Sequence, residues 1–190
     1  MSRTPILAAA LLLSLQACAS SCGGDPVAED LRAIEKSFHA LRDAILQGDD
    51  EAFFRMHSRA AQEAAILEFP RIRAQYAASP PEEREAFHSI FRVTGEEFLT
   101  GEPRDLVVKM MPWKSGWRER REVYRTARIK DVRIEYVDHP GGGKERRGVV
   151  TLEIEGARDA EGKPIPDLFL PTVVFEKDED GWKRRSFFME

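Results

Sequence analysis

Cysteine is nearly absent from this chain of 190 residues: there are two, Cys18 and Cys22, and none beyond position 22. A disulfide framework in an exported chain of this size would show four or more. The globular part therefore has no disulfide, no thiolate metal ligand and no cysteine nucleophile. Histidine is sparse as well. His39, His57, His88 and His139 lie far apart, with no H-E-x-x-H and no pair at helical spacing, so no metal set is expected. G-x-S-x-G, P-loop and dinucleotide fingerprints are missing, so no catalytic residue is assigned and no cofactor is expected. Positive charge is not in excess: 29 Lys+Arg stand against 33 Asp+Glu, a net charge of −4. Mixed signs without a basic cluster argue against nucleic acid as a partner. One long apolar run is present, Ile6 to Leu15, and it falls short of the about 20 residues a helix needs to cross a bilayer.

That run has the length of a secretory-signal core, about 7–15 residues, between a short basic segment containing Arg3 and a string of small residues. Its end, Leu15-Gln16-Ala17-Cys18, resembles the lipobox of bacterial lipoproteins. The resemblance implies removal of residues 1–17, thioether lipidation of Cys18 and acylation of the new amino terminus by a palmitate-type chain. It makes 1–17 a signal peptide, 18–25 a lipidated tether and 26–190 a single domain held in the bacterial cell envelope. Ala19 rather than an acidic residue after the cysteine resembles outer-membrane more than inner-membrane sorting. Cys22 follows Ala19-Ser20-Ser21, without the aliphatic residue, and ranks second as the lipid site. Loss of the leader removes only Arg3, leaving 28 Lys+Arg against 33 Asp+Glu, a net of −5. Seven residues from Cys18 to Asp25 reach at most about 25 Å. The membrane is thus the first expected partner, engaged through an anchor worth ~0.8 kcal/mol per buried methylene.

The rest divides into a helical first half and a strand-rich second half. Asp25-Pro26 is a helix start, and Val27, Leu31, Ile34, Phe38, Leu41 and Ile45 form one apolar stripe before Gly48. Asp49 opens a short second helix to about His57. A third is expected from Ser58 toward Tyr76, kinked or broken at Pro70. Ser79-Pro80-Pro81 opens a fourth, carrying Phe87 and Phe91 inward, and Thr94-x-x-Glu97 reads as a capping box for a fifth. Residues 101–117 fit helix and strand equally. From about Glu122 the apolar period shortens to two: Val132, Ile134 and Tyr136, then Val150, Leu152 and Ile154. His139-Pro-Gly-Gly-Gly reads as a hairpin tip. Two further strands, Leu168 to Lys177 and Trp182 to Phe188, complete a four-stranded antiparallel meander covered on one face by the helices.

The helix end "ILQGDDEAFFRMH" and the chain end "VVFEKDEDGWKRRSFF" resemble the nuclear transport factor 2-like superfamily, the cone-shaped, ketosteroid-isomerase-like α+β fold. Gly48-Asp49 and Gly181-Trp182 stand where that family has its Gly-Asp step and its hairpin Gly-Trp pair. The resemblance spans roughly residues 26–189, with 58–117 longer than the compact family pattern. It implies a pocket between sheet and helices, for which Phe38, Leu41, Phe69, Tyr76, Phe87, Phe91, Tyr136 and Trp182 are the candidate lining residues.

Function in such a fold depends on what lines the pocket. Asp131-x-Arg133 with Asp138 superficially offers the carboxylate–arginine–carboxylate set of related hydrolases. Asp131 and Arg133 nevertheless fall opposite Val132 and Ile134, on the face a strand turns to solvent. The stretch "MMPWKSGWRERR", 110–121, reads either as a partner or membrane contact or as a core plug. Three classes follow: a lipoprotein whose non-catalytic domain binds a small apolar ligand or an envelope protein, an isomerase or hydrolase using a pocket carboxylate, and a scaffold docking or homodimerising through its sheet. The first is expected, because no catalytic set assembles.

Overall fold

The structure, a computed structural model, describes residues 25–91, 93–114, 121–139, 141–153 and 172–187. Cys18, Cys22, Ile154 and the expected strand residues 168–171 and 188 lie outside the described residues. Among those described, seven helices precede four strands: α1 Pro26–Gln47, α2 Asp50–Arg55, α3 Arg59–Ala78, α4 Pro81–Phe91, α5 Gly95–Thr100, α6 Pro103–Lys114, α7 Arg121–Thr126, then β1 Arg128–Asp138, β2 Lys144–Glu153, β3 Thr172–Asp178 and β4 Gly181–Arg184. The fold is α+β, with the strands in the antiparallel order β1-β2-β3-β4.

Four of the helix starts, those of α1, α2, α3 and α5, have a capping side chain as their local cause. Asp25 accepts from the Val27 N–H, and Pro26 sits at the first helical position of α1. Gly48 ends that helix at φ 75°, a left-handed conformation that glycine adopts without a Cβ penalty. Asp49 caps α2, Ser58 caps α3, and Thr94 with Glu97 forms the full capping box of α5. Of the kink or break expected at Pro70, the break does not occur: α3 runs through it. Pro70 lies on the exposed side, so its ring meets solvent rather than a packed neighbour. The ambiguous stretch is helical from 103 to 114: Leu106, Val107, Met110 and Met111 are all buried, a helix spacing and not a strand one. The shortening of the period at 122 is corrected too, because 121–126 form α7 and the first strand begins at Arg128.

The core runs from the interface of α1 with the sheet into the helices, through Phe53, Phe69, Phe98 and Met110. Ile34, Phe38 and Leu41 meet Val150, Leu152, Val173 and Phe175, each at most 1% exposed. Packing is closest where α1 crosses β2. A Cβ added to Gly148 would stand 2.6 Å from Ile34 Cδ1 and 2.7 Å from Cγ1. Gly148→Ala is therefore expected to lower the unfolding free energy by about 1–3 kcal/mol. In urea titrations the double variant with Ile34→Ala should cost less than the two single changes added together; strict additivity would disprove the close approach.

The β1–β2 hairpin turns at Gly142 and Gly143, both at positive φ, so "HPGGG" is a hairpin tip as expected. On the sheet's outer side Arg133 donates to Asp131 (3.0 Å), Glu135 (2.8 Å) and Thr151 (3.1 Å). This is an exposed ion-pair row on a solvated face, not a site.

Candidate functional site

The described cavities that are mostly apolar lie among the helices, away from the α1–sheet interface. One, of about 180 Å³, is walled by Phe69, Ile72 and Gln75 of α3, Phe87 and Phe91 of α4, and Val107, Met110 and Met111 of α6, with Arg71 at its rim. A second, of about 320 Å³, continues on the other side of Met111, between Ala61, Ala64 and Ala65 of α3 and the segment Arg185–Phe187 that follows β4. Both lie along one flank of α3 with Met111 in the wall of each, and the two are called the α3 cleft. The second has the scale of a small-molecule site, about 300–1,000 Å³, and both carry the predominantly apolar lining of such sites.

The walls are held by polar ties at their backs. Tyr76 Oη lies 2.7 Å from His88 Nε2, fixing α4 to α3, and the Tyr76 ring packs on Phe87 and Phe98 at 5.3 and 4.7 Å. Arg73 donates to the Gly101 carbonyl, locking α3 to the end of α5. Lys109 bonds Glu97 at 2.7 Å, and its ammonium holds the Glu97 carboxyl below its usual range. Arg104 reaches Glu51 on α2 at 2.6 Å. Methionine suits the remaining wall: Met110 and Met111 are unbranched, polarizable side chains that adapt to differing ligand shapes.

Of the buried polar residues outside the cleft, two stand out, Asp30 and His57. Asp30, on α1, accepts from Trp182 Nε1 (3.0 Å), Lys177 Nζ (2.9 Å) and Arg146 Nη2 (2.6 Å). One carboxylate thus ties α1 to β2, β3 and β4. The Lys177 hydrogen bond foremost, then Trp182 and Arg146, outweigh burial and keep its pKa below the usual carboxylate value. The second is His57, wholly buried after α2, where the chain pairs with β4 through Ser58 N–H to the Arg184 carbonyl and Arg184 N–H to the Met56 carbonyl. Its Nδ1 is 2.8 Å from the Phe53 carbonyl, which makes Nδ1 the protonated nitrogen, and its ring stacks on Phe187 at 3.8 Å. Burial, reinforced by the nearby Arg184 charge, lowers the pKa from 6.5 to about 3.

The eight candidate lining residues divide accordingly. Phe69, Phe87 and Phe91 come together in the cleft. Tyr76 stands behind Phe87 and is buried. Phe38 and Leu41 are core residues against the sheet, and Trp182 is bound to Asp30; none of these three lines a described cavity. Tyr136 is 59% exposed on β1, so it is a surface residue and not pocket lining. The strand period put it on the helix side of the sheet, but α1 does not cover it. Ile72, Val107, Met110 and Met111 complete the cleft and were not among the candidates. The Met-Met pair was the available signal, hidden by the ambiguity of its element. The side chain of Trp113 and residues 115–120 lie outside the described residues.

Of the four histidines none adjoins another, and among the described residues no group of three His, Cys, Asp or Glu is placed to hold a metal ion. No described helix is long and apolar enough to cross a membrane. Comparison with protein families, curated proteins and solved structures finds no match to this chain.

Proposed function

We propose that this chain is a bacterial envelope lipoprotein, anchored at Cys18, whose nuclear transport factor 2-like domain holds an apolar or amphipathic molecule, or an apolar partner segment, without converting it. The observation that carries the binding reading is the α3 cleft, lined by Phe69, Phe87, Phe91, Met110 and Met111. Asp30 supports it from the other side. The buried carboxylate has its oxygens engaged by three donors of the fold and is held ionised, the reverse of a proton acceptor with a raised pKa. The anchor rests on Leu15-Gln16-Ala17-Cys18, and the short tether that follows would keep the cleft near the bilayer, where amphipathic molecules are concentrated.

The binding reading is tested with decanoate as a single-chain probe. The unfolding midpoint should rise with decanoate concentration, approaching about 2.7 kcal/mol of stabilisation at a hundred times the dissociation constant. Ile72→Trp, which fills the cavity from its half-buried wall, should abolish the rise while leaving a cooperative transition. A rise that survives Ile72→Trp would place binding elsewhere. Conversion of a bound amphiphile, abolished by one acidic substitution, would replace the binding reading with the enzymatic one. For the anchor, intact-mass analysis should find acyl chains on the chain beginning at Cys18, lost in Cys18→Ser and kept in Cys22→Ser. Acylation at Cys22 would refute the lipobox assignment.

A further inference from the structure

The flank of α3 that faces away from the core, and borders the cleft at Ala64 and Arg71, is not built like a solvated helix surface. Leu67 stands at its centre and is 79% exposed, the most exposed of the large apolar side chains among the described residues. Exposed Ala60, Ala64, Pro70 and Ala74 lie on the same side at helical spacing, so its apolar neighbours are small. The charged side chains flank this centre, and their signs are opposite. Glu63 lies four residues before Leu67 and Arg71 four residues after it, both exposed. At about 1.5 Å per residue each stands ~6 Å from the centre along the axis.

That arrangement is complementary to itself. A two-fold axis through Leu67 sets a second α3 antiparallel to the first, so that residue 67−n of one copy faces residue 67+n of the other. Leu67 then meets Leu67, Ala60 meets Ala74, and Glu63 meets Arg71 twice, once on each side of the axis. This is the isologous geometry of a two-fold dimer. Within one chain these charges have near neighbours, Glu63 with Arg59 at 2.9 Å and Arg71 with Glu68. Exposed pairs of that kind contribute only about 0.3–0.5 kcal/mol, so exchanging or sharing partners across an interface costs little. We propose that the chain self-associates as a two-fold dimer through this face of α3, with Leu67 at the axis and reciprocal Glu63–Arg71 pairs beside it. The dimer face meets the cleft at Ala64 and Arg71 but is centred on Leu67, which lines neither cavity, and the inference does not depend on ligand binding.

Cross-linking in the full chain tests it. In a Cys18→Ser, Cys22→Ser background, Leu67→Cys should form a disulfide-linked dimer on mild oxidation at least tenfold more efficiently than Leu99→Cys, a comparably apolar exposed position on α5. Added to Leu67→Cys, Glu63→Arg alone and Arg71→Glu alone should each cut the yield at least threefold, because like charges then meet across the axis. The double exchange, Glu63→Arg with Arg71→Glu, should restore it. Equal yields from the Leu67 and Leu99 positions overturn the proposal. So does a double exchange that leaves the yield as low as the single changes, since Glu63 would then not face Arg71. All four positions are exposed, and circular dichroism of each variant confirms that the fold is retained.

Discussion

Replacing Asp30 by alanine is expected to lower the unfolding free energy by about 2–4 kcal/mol, among the largest effects of any substitution of a polar residue in the described chain. The size follows from what the carboxylate does. It is 11% exposed, and it satisfies the buried Trp182 N–H together with the charges of Arg146 and Lys177. Arg146 and Lys177 are 37% and 54% exposed and regain water once Asp30 is gone, which keeps the loss below that of a fully buried pair. The Trp182 N–H has no such recourse. Asp30→Asn keeps an acceptor for Trp182 while removing the charge, and should cost less than alanine in the same urea titrations. The pH dependence has a definite sign. The folded carboxyl titrates below its unfolded value of about 3.9, so its contribution is fully present above that pH and is lost as the pH falls through the folded value. Equal losses for the alanine and asparagine variants would mean that the charge, and not the Trp182 bond, carries the whole effect.

Acid should weaken the fold well before the carboxylates titrate, and His57 is the reason. The unfolded imidazole takes a proton near pH 6.5, while the buried one resists until about pH 3. Between those values the unfolded state binds more protons than the folded one, so stability falls as pH falls. At 1.36 kcal/mol per unit the loss approaches roughly 5 kcal/mol over the whole interval, and about 2 kcal/mol is lost by pH 5. The carboxyls with lowered values, Asp30, Glu97, Glu145 and Asp178, enter only below about pH 4.5, their unfolded range. The limb from pH 6.5 to 5 therefore reports on His57. His57→Phe keeps an aromatic ring against Phe187 and removes the titrating group, so its stability should be nearly flat over that limb. A variant as pH-dependent as the parent would assign the limb to another group.

How much of this was legible in the sequence depended on the range of the interactions. α1 was readable from end to end because Asp25, Pro26 and Gly48 act on their own neighbours. The Thr94–Glu97 box and the glycine turn after His139 were readable for the same reason. Residues 103–114 were not, since Pro112 and a Val-Val pair weaken the helix signal and only burial of Leu106, Val107, Met110 and Met111 decides between helix and strand. The α1 stripe does not line the apolar cavities. Phe38 and Leu41 do face the sheet, but Ile34 meets Gly148 so closely that the interface is filled there. The cleft arises instead where α3, α4 and α6 meet, from three separate helices whose mutual placement no local pattern encodes. Asp30 was invisible because its partners lie 116, 147 and 152 residues away along the chain. His57 reads as one more scattered histidine because the ring it stacks on, Phe187, lies at the far end of the chain.

The most direct test of the central claim, that the α3 cleft is the binding site, is a decanoate titration of the protein labelled with ¹³C at the methionine methyl groups. Met110 and Met111 wall the cleft, whereas Met56 ends α2 at the joint with β4 and lines neither cavity. The account predicts that the Met110 and Met111 resonances move together and saturate at one dissociation constant while Met56 stays in place. Methyl signals of Met110 and Met111 that remain unmoved while the unfolding midpoint rises would contradict it.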